Sequence, residues 1–302
     1  MSKSTKWFLL IMLVLAVLAI GFTLIVLMSI GTGVNRTVET VSGSSGEKIA
    51  LVELRGVIMS SEEIVDQLKR HRENDAIKGI LLRIESPGGG VVASQEIYEE
   101  VRKTRDAGKP VVVSMGALAA SGGYYVACGS SLIVANRGTL TGSIGVVSEF
   151  LQLQDALDKL GISVKTIKSG RLKDAGSSTR KMTELDERYI QELMDDVHSQ
   201  FVGVVETERG LEHVEALALA DGRVFTGEQA FELGLVDTVG TYEDAIQIAG
   251  IMAGIEGTPT VVKERRRRSL LESWFGDVGE TVAGLRQELL GMPALSYRFT
   301  AP

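Results

Sequence analysis

An α/β domain on a parallel-rich sheet, behind one N-terminal transmembrane helix, is the fold that the 302-residue sequence predicts. Three observations predict it. After residue 48, short apolar runs alternate with amphipathic ones, the pattern of βαβ units with a parallel sheet and right-handed crossovers. Glycine is abundant, 34 residues against 5 prolines, which suits tight turns and close backbone approaches. Trp7 through Ile30 carries no charge, and ~20 apolar residues are enough to cross a bilayer as a helix.

Composition narrows the function classes. Hydrophobic residues make up 44% of the chain and charged ones 24%, values that exclude a disordered chain, a collagen and a polytopic membrane bundle. A net charge of −7 provides no basic field for nucleic acid. The single cysteine, Cys128, excludes an internal disulfide framework and any multi-thiolate metal site.

The elements follow in order. Lys3 and Lys6 precede the apolar stretch, so the positive-inside tendency puts residues 1–6 in the cytoplasm and the bulk of the chain outside. A cleaved leader has an apolar core of only about 7–15 residues, so a retained anchor over 7–30 is the reading, with Ser29 and Gly31 as the leader alternative. Residues 31–47 are small and polar and read as a tether. Buried strands are expected at 48–54, 78–84, 110–115, 131–135 and 162–167. A serine-capped helix is expected over 61–71, with others at 91–106, 151–160, 184–207 and 241–253, and two short ones around a turn within 212–237. These elements make a domain over 48–258. A tail, 259–302, opens on the basic run Lys263 to Arg268. That run fits a solvated segment or one that docks on anionic lipid headgroups.

Elimination narrows the chemistry. His71, His198 and His213 have no second ligand at metal spacing. The acidic pairs Glu62-Glu63, Glu99-Glu100 and Asp195-Asp196 are adjacent on helices and point about 100° apart. SPGGG (86–90) follows a strand and opens a helix, yet lacks the spacing of a phosphate loop. Two glycine-flanked serines remain. In MGALAASGGYY (115–125), Ser121 stands just past a buried strand and ahead of Gly122 and Gly123. A nucleophile needs such a sharp turn, with small neighbours and free N–H groups. In TLTGSIGVV (139–147), Ser143 has similar surroundings. Taken singly, either serine also fits a helix cap or a turn. A serine needs a base, and a lysine serves only when burial keeps it neutral. Lys168 and Lys173 sit among small residues in IKSGRLKDAGSS (167–178), where two ordinary exposed lysines would look the same. The residues alone reach a Ser/Lys hydrolase as one option.

Beyond that point the sequence resembles the signal peptide peptidase A family, serine proteases of the ClpP/crotonase superfamily and peptidase family S49. The resemblance rests on ESPGGGVVAS (85–94), MGALAASGGYYVA (115–127), TLTGSIGVV (139–147), IKSGRLKDAGSSTRKMT (167–183) and DGRVFTGEQAFELGLVD (221–237). It covers residues 48–250 or so and leaves 259–302 unmatched. It implies a ClpP/crotonase-like fold and a membrane-anchored endopeptidase with its catalytic domain extracytoplasmic. Ser121 is implied as nucleophile and Lys173 as general base. Ser143 would orient the lysine, and Gly122 with Gly88 or Gly89 would form the oxyanion hole. Lys168 matches the motif without being the base. The resemblance further implies hydrophobic peptide substrates such as signal-peptide remnants, a homo-oligomer with active sites near subunit interfaces, contact with membrane lipid, and neither cofactor nor metal. Two other readings remain open: an acyl-CoA enzyme of the crotonase type, and an inactive membrane scaffold that binds peptides.

Overall fold

The computed structural model describes residues 36–43, 46–266 and 296–298, with isolated positions between 5 and 23. The chain divides into two units, one of residues 1–38 and 264–290, the other of 39–263 and 291–302. In the first unit, the described positions between 5 and 23 are helical. Among the described residues no helix is long and apolar enough to cross a membrane. The anchor expected over 7–30 lies for the most part outside them, as do residues 267–295 of the tail.

The second unit is built on a sheet of parallel strands. Its path takes β2 (Lys48–Arg55), β3 (Ile77–Ser86), β5 (Val111–Ala120), β6 (Leu132–Ala135), β9 (Thr238–Val239) and β10 (Thr260–Arg266) in the order β10-β2-β3-β5-β6-β9. Every neighbouring pair on that path is parallel. Alternation along the strands sorts side chains to two faces. Val52, Leu54, Ile80, Leu82 and Ile84 face one cluster; Ile49, Leu51, Leu81 and Val112 face another. The first face is covered by α1 (Glu62–Glu73), α2 (Val91–Asp106), α3 (Gly122–Cys128) and α5 (Glu184–Arg209), which contribute Leu68, Val101, Tyr124 and Phe201. The second is covered by α8 (Tyr242–Met252) through Ala245, Ile246 and Ala249. With both faces covered, the central strands are near-continuous apolar runs, as parallel sheets require.

Short pieces complete the site end of the sheet. β4 (Gly88–Gly90) follows β3, and β7 (Leu140–Gly142) pairs parallel with the end of β5 and antiparallel with β8 (Val224–Thr226). Helices α4 (Gln154–Lys159), α6 (His213–Leu219) and α7 (Gly227–Glu232) lie where helical patterns were expected.

Three expectations are corrected. Residues 36–42, read as part of the tether, form β1 (Arg36–Ser42), in keeping with the β-branched Thr37, Val38, Thr40 and Val41. Residues 162–167 form no strand. Their alternating Ile162 and Val164 are exposed, and among the described residues no strand completes a ladder with them. Ser61 begins α1 in a helical conformation and makes no capping bond; its hydroxyl donates to Glu96 instead. The tail, set apart from residue 259 by sequence, also contributes to the second unit. β10 carries the buried Val261 and Val262, and β11 (Ser296–Arg298) carries the buried Tyr297.

Candidate active site

The C-terminal ends of β3, β5 and β7 converge on one place. Ser86 pairs with Ala119, and Ala120 pairs with Gly142, so the SPGGG turn, Ser121 and Ser143 leave the sheet side by side. Open α/β sheets place their sites at this end. Ser121 joins β5 to α3 with φ 53° and ψ −118°, and Ser143 has φ 50°. Among the described residues these two are the non-glycine positions with positive φ. Such a conformation costs a side-chain-bearing residue about 1–3 kcal/mol and persists only where the surroundings impose it. They do so here. The Ser121 N–H donates to Gly142 O at 2.7 Å, Tyr125 N–H donates to Ser121 O at 2.8 Å, and Ser143 N–H donates to Arg223 O at 2.8 Å. Both serines are buried, and neither hydroxyl has a hydrogen-bond partner among the described residues.

The glycines are there because nothing larger fits. A Cβ on Gly88 (φ 95°) would lie 2.7 Å from Gly122 N, and one on Gly89 would lie 2.2 Å from Ile58 O. A Cβ on Gly122 would meet Ser94 Oγ at 2.5 Å and Gly89 N at 3.2 Å. The backbones of Gly88, Gly89 and Gly122 are thus pressed together beside Ser121. Glu85 braces the edge of this turn by accepting from the Ala117 and Leu118 N–H groups. Cys128 lies deep in α3, where burial pushes its thiol up to about 12. It supplies no thiolate at neutral pH to compete with a hydroxyl.

The lysines lie elsewhere in the chain. Lys173 is exposed on a turn whose own N–H donates to Gly170 O, and its amine has no hydrogen-bond or ion-pair partner among the described residues. Lys168 is occupied: its amine pairs with Asp174 and donates to Arg171 O at 2.8 Å. Arg180 also binds Asp174, and it reaches Asp186 at 2.6 Å. Hydrogen bonds from Arg180 and then Lys168 hold the Asp174 carboxyl down to about 2. A cavity of about 640 Å³ opens beside this network, lined by Lys168, Arg180, Lys181 and Glu184 among others, and not by Ser121. Within one chain the structure joins Ser121, Ser143, Gly88, Gly89 and Gly122, and leaves Lys173 on the surface.

Sequence reasoning missed the segment that pairs with the SPGGG turn. β11 pairs antiparallel with β4, matching Tyr297 to Gly89. Its signal was the alternation of Leu295, Tyr297 and Phe299 with polar residues, which is a strand pattern.

A strained serine at a strand-to-helix turn, flanked by converging glycine amides, is the arrangement that a serine hydrolase on a parallel sheet needs. Comparison with known proteins places it more closely. The description of peptidase family S49 matches residues 103–256, and that of the Clp protease matches 31–141. A protein of Synechocystis sp. named as a protease is 44% identical over 214 residues, 70% of this chain and 77% of its own. A relative from Enterococcus faecium bearing the name signal peptide peptidase SppA is 35% identical over 268 residues, 82% of this chain and 78% of its own. Protease 4 of Salmonella typhi is 32% identical over 269 residues, 83% of this chain and 43% of its own. The chain belongs to peptidase family S49 and is a serine protease of the signal peptide peptidase A group.

Proposed function

We propose that this chain is a membrane-anchored, extracytoplasmic endopeptidase that degrades hydrophobic peptides such as signal-peptide remnants through a Ser121/Lys173 dyad. The observation that carries the reading is the forced backbone of Ser121 beside the amides of Gly122 and Gly88. Ser121 Oγ attacks the peptide carbonyl, and the neutral Lys173 amine takes the hydroxyl proton. The tetrahedral oxyanion is held by the Gly122 N–H and an N–H of Gly88 or Gly89; losing one such donor costs ~3 kcal/mol. Lys173 then passes the proton to the leaving amine, and water hydrolyses the acyl-enzyme. Ser143, on the neighbouring strand end, orients the lysine amine.

The base comes from another subunit in this reading. The exposure of Lys173 favours that arrangement, because an amine in bulk water stays protonated and acquires a base's character only when desolvated. So does the apolar surface that precedes it. Leu151, Leu160, Ile162, Val164 and Ile167 are all exposed within one short stretch of chain, Ile167 by 90%, and exposed apolar residues gathered in this way suit a contact surface. The uncharged run over 7–30 supports the anchor.

Hydrolysis of a synthetic signal peptide, followed by mass spectrometry, tests the dyad. Ser121→Ala and Lys173→Ala should each abolish cleavage while the melting profile stays that of a folded protein; full activity in Lys173→Ala would remove lysine from the mechanism.

A further inference from the structure

The residue after Lys173 is where an otherwise exposed segment is fastened. Residues 161–170 are exposed throughout, and the Lys173 N–H reaches Gly170 O only at 3.3 Å. Asp174, by contrast, is gripped at both side chain and backbone. Arg180 Nη2 donates to Asp174 Oδ1 at 2.8 Å and to Asp174 O at 3.0 Å. Asp174 O also accepts from the Ser177 N–H at 3.0 Å, and Lys168 pairs with the same carboxylate.

The other nitrogen of the Arg180 fork faces the start of α5. Arg180 Nη1 donates to Asp186 Oδ2 at 2.6 Å and to Lys181 O at 3.0 Å. Asp186 is buried, and its carboxylate also accepts from the Thr183 N–H at 3.0 Å and the Thr183 hydroxyl at 2.8 Å. Thr183 and Asp186 thereby close the capping box of α5. Hydrogen bonds from Arg180, then from Thr183, hold the Asp186 carboxyl far below the usual carboxylate range. α5 is itself anchored: Phe201 lies edge-on to Tyr125 of α3, with ring centroids 4.9 Å apart. A planar guanidinium can bridge two carboxylates in a fixed plane, whereas an ammonium is a point charge without that geometry.

We infer that Arg180 is a positioning residue for the proteolytic reaction: by bridging Asp174 to Asp186, it fixes the turn that carries Lys173 to the body of its subunit. The inference rests on Lys173 as the base of the proposed dyad. A lysine amine rides on a flexible four-carbon stem, so its placement depends on where its backbone is held. A displacement of about 1 Å can cost ~10² in rate, and the step it slows is proton transfer rather than peptide binding.

The test is hydrolysis of a synthetic signal peptide by the full chain and its variants, with Lys173→Ala as the reference. Arg180→Gln should lower kcat ~10²-fold and leave KM within about twofold, the split expected when a group acting in the transition state is misplaced. Arg180→Lys keeps the charge without the fork and should recover about tenfold of that loss. Asp174→Asn should resemble Arg180→Gln, and the double variant should be no slower than either, since both release one tie. Lys181→Gln breaks only an exposed pair with Asp155 and should leave kcat unchanged. An inactive Lys173→Ala beside Arg180→Gln and Asp174→Asn with wild-type kcat would overturn the positioning role and leave the dyad standing. A loss confined to KM would overturn it as well. A Lys173→Ala variant as active as the wild type would remove the base, and the role of Arg180 with it. Should Arg180→Gln fail to fold, the near-isosteric Asp174→Asn releases the same tie from the turn side and decides alone.

Discussion

The serine end of the sheet and the lysine segment, 161–181, are built in opposite ways. At the serine end the backbone is over-determined: two backbone hydrogen bonds hold Ser121 and one holds Ser143 at positive φ, and glycines touch backbone to backbone. The lysine segment has no strand, is exposed throughout 161–170, turns through 171–176, and is tied mainly by the Asp174–Arg180–Asp186 ion pairs. On the proposed dyad, a rigid nucleophile and a loosely held base are what a site assembled between copies would require. In that proposal the half that must match the transition state is pre-organised within one chain, and the half that must be desolvated would wait for a neighbour.

Breaking the rigid half should have the largest effect. Gly88→Ala forces a Cβ into the space of Gly122 N and displaces an oxyanion donor, so kcat/KM for an apolar peptide should fall by ~10²–10³. Steady-state kinetics on the folded variant checks this. Ser121→Gly separates chemistry from strain. It should be inactive and yet more stable than Ser121→Ala by roughly 1 kcal/mol, because glycine adopts positive φ freely; urea denaturation of the two variants gives the difference.

Stability should sharpen the contrast next. Leu82 is fully buried in the cluster against α1–α3, and Leu82→Ala should cost ~2–5 kcal/mol. Leu160 is 72% exposed, so Leu160→Asp should shift monomer stability by within about 0.5 kcal/mol. It should weaken self-association instead, which sedimentation velocity would show. The smallest effect is acid sensitivity. The Asp174 carboxyl titrates at about 2 in the folded chain against an ordinary value near ~4. Its stabilising contribution is therefore complete above pH ~4 and is lost as pH falls toward 2. Hydrogen exchange should show 161–181 opening in that window ahead of β2, β3 and β5, and opening at neutral pH in Asp174→Asn.

Much of this was legible in the residues. Short, near-continuous apolar runs located β2, β3, β5 and β6, since a strand covered on both faces must be apolar throughout. Glycines around Ser121 located the turn because only glycine tolerates the approaches found at Gly88 and Gly89. What local pattern could not show was long-range pairing. Ile162 and Val164 carry a strand's alternation and find no partner strand among the described residues, whereas β1 and β11 carry weaker patterns and form strands. Strand existence depends on a neighbour's edge, and a one-chain sequence window does not contain it. The same holds for Lys173, whose surroundings in this account belong to another copy.

Mixing tests that claim most directly. Equal amounts of Ser121→Ala and Lys173→Ala protein, each inactive alone, would be co-refolded into mixed oligomers and assayed on a signal peptide. Sites shared between neighbours in a ring should return about a quarter of wild-type activity. Mixed oligomers, verified by native mass spectrometry, that stay as inactive as the separate variants would contradict a base supplied across the interface.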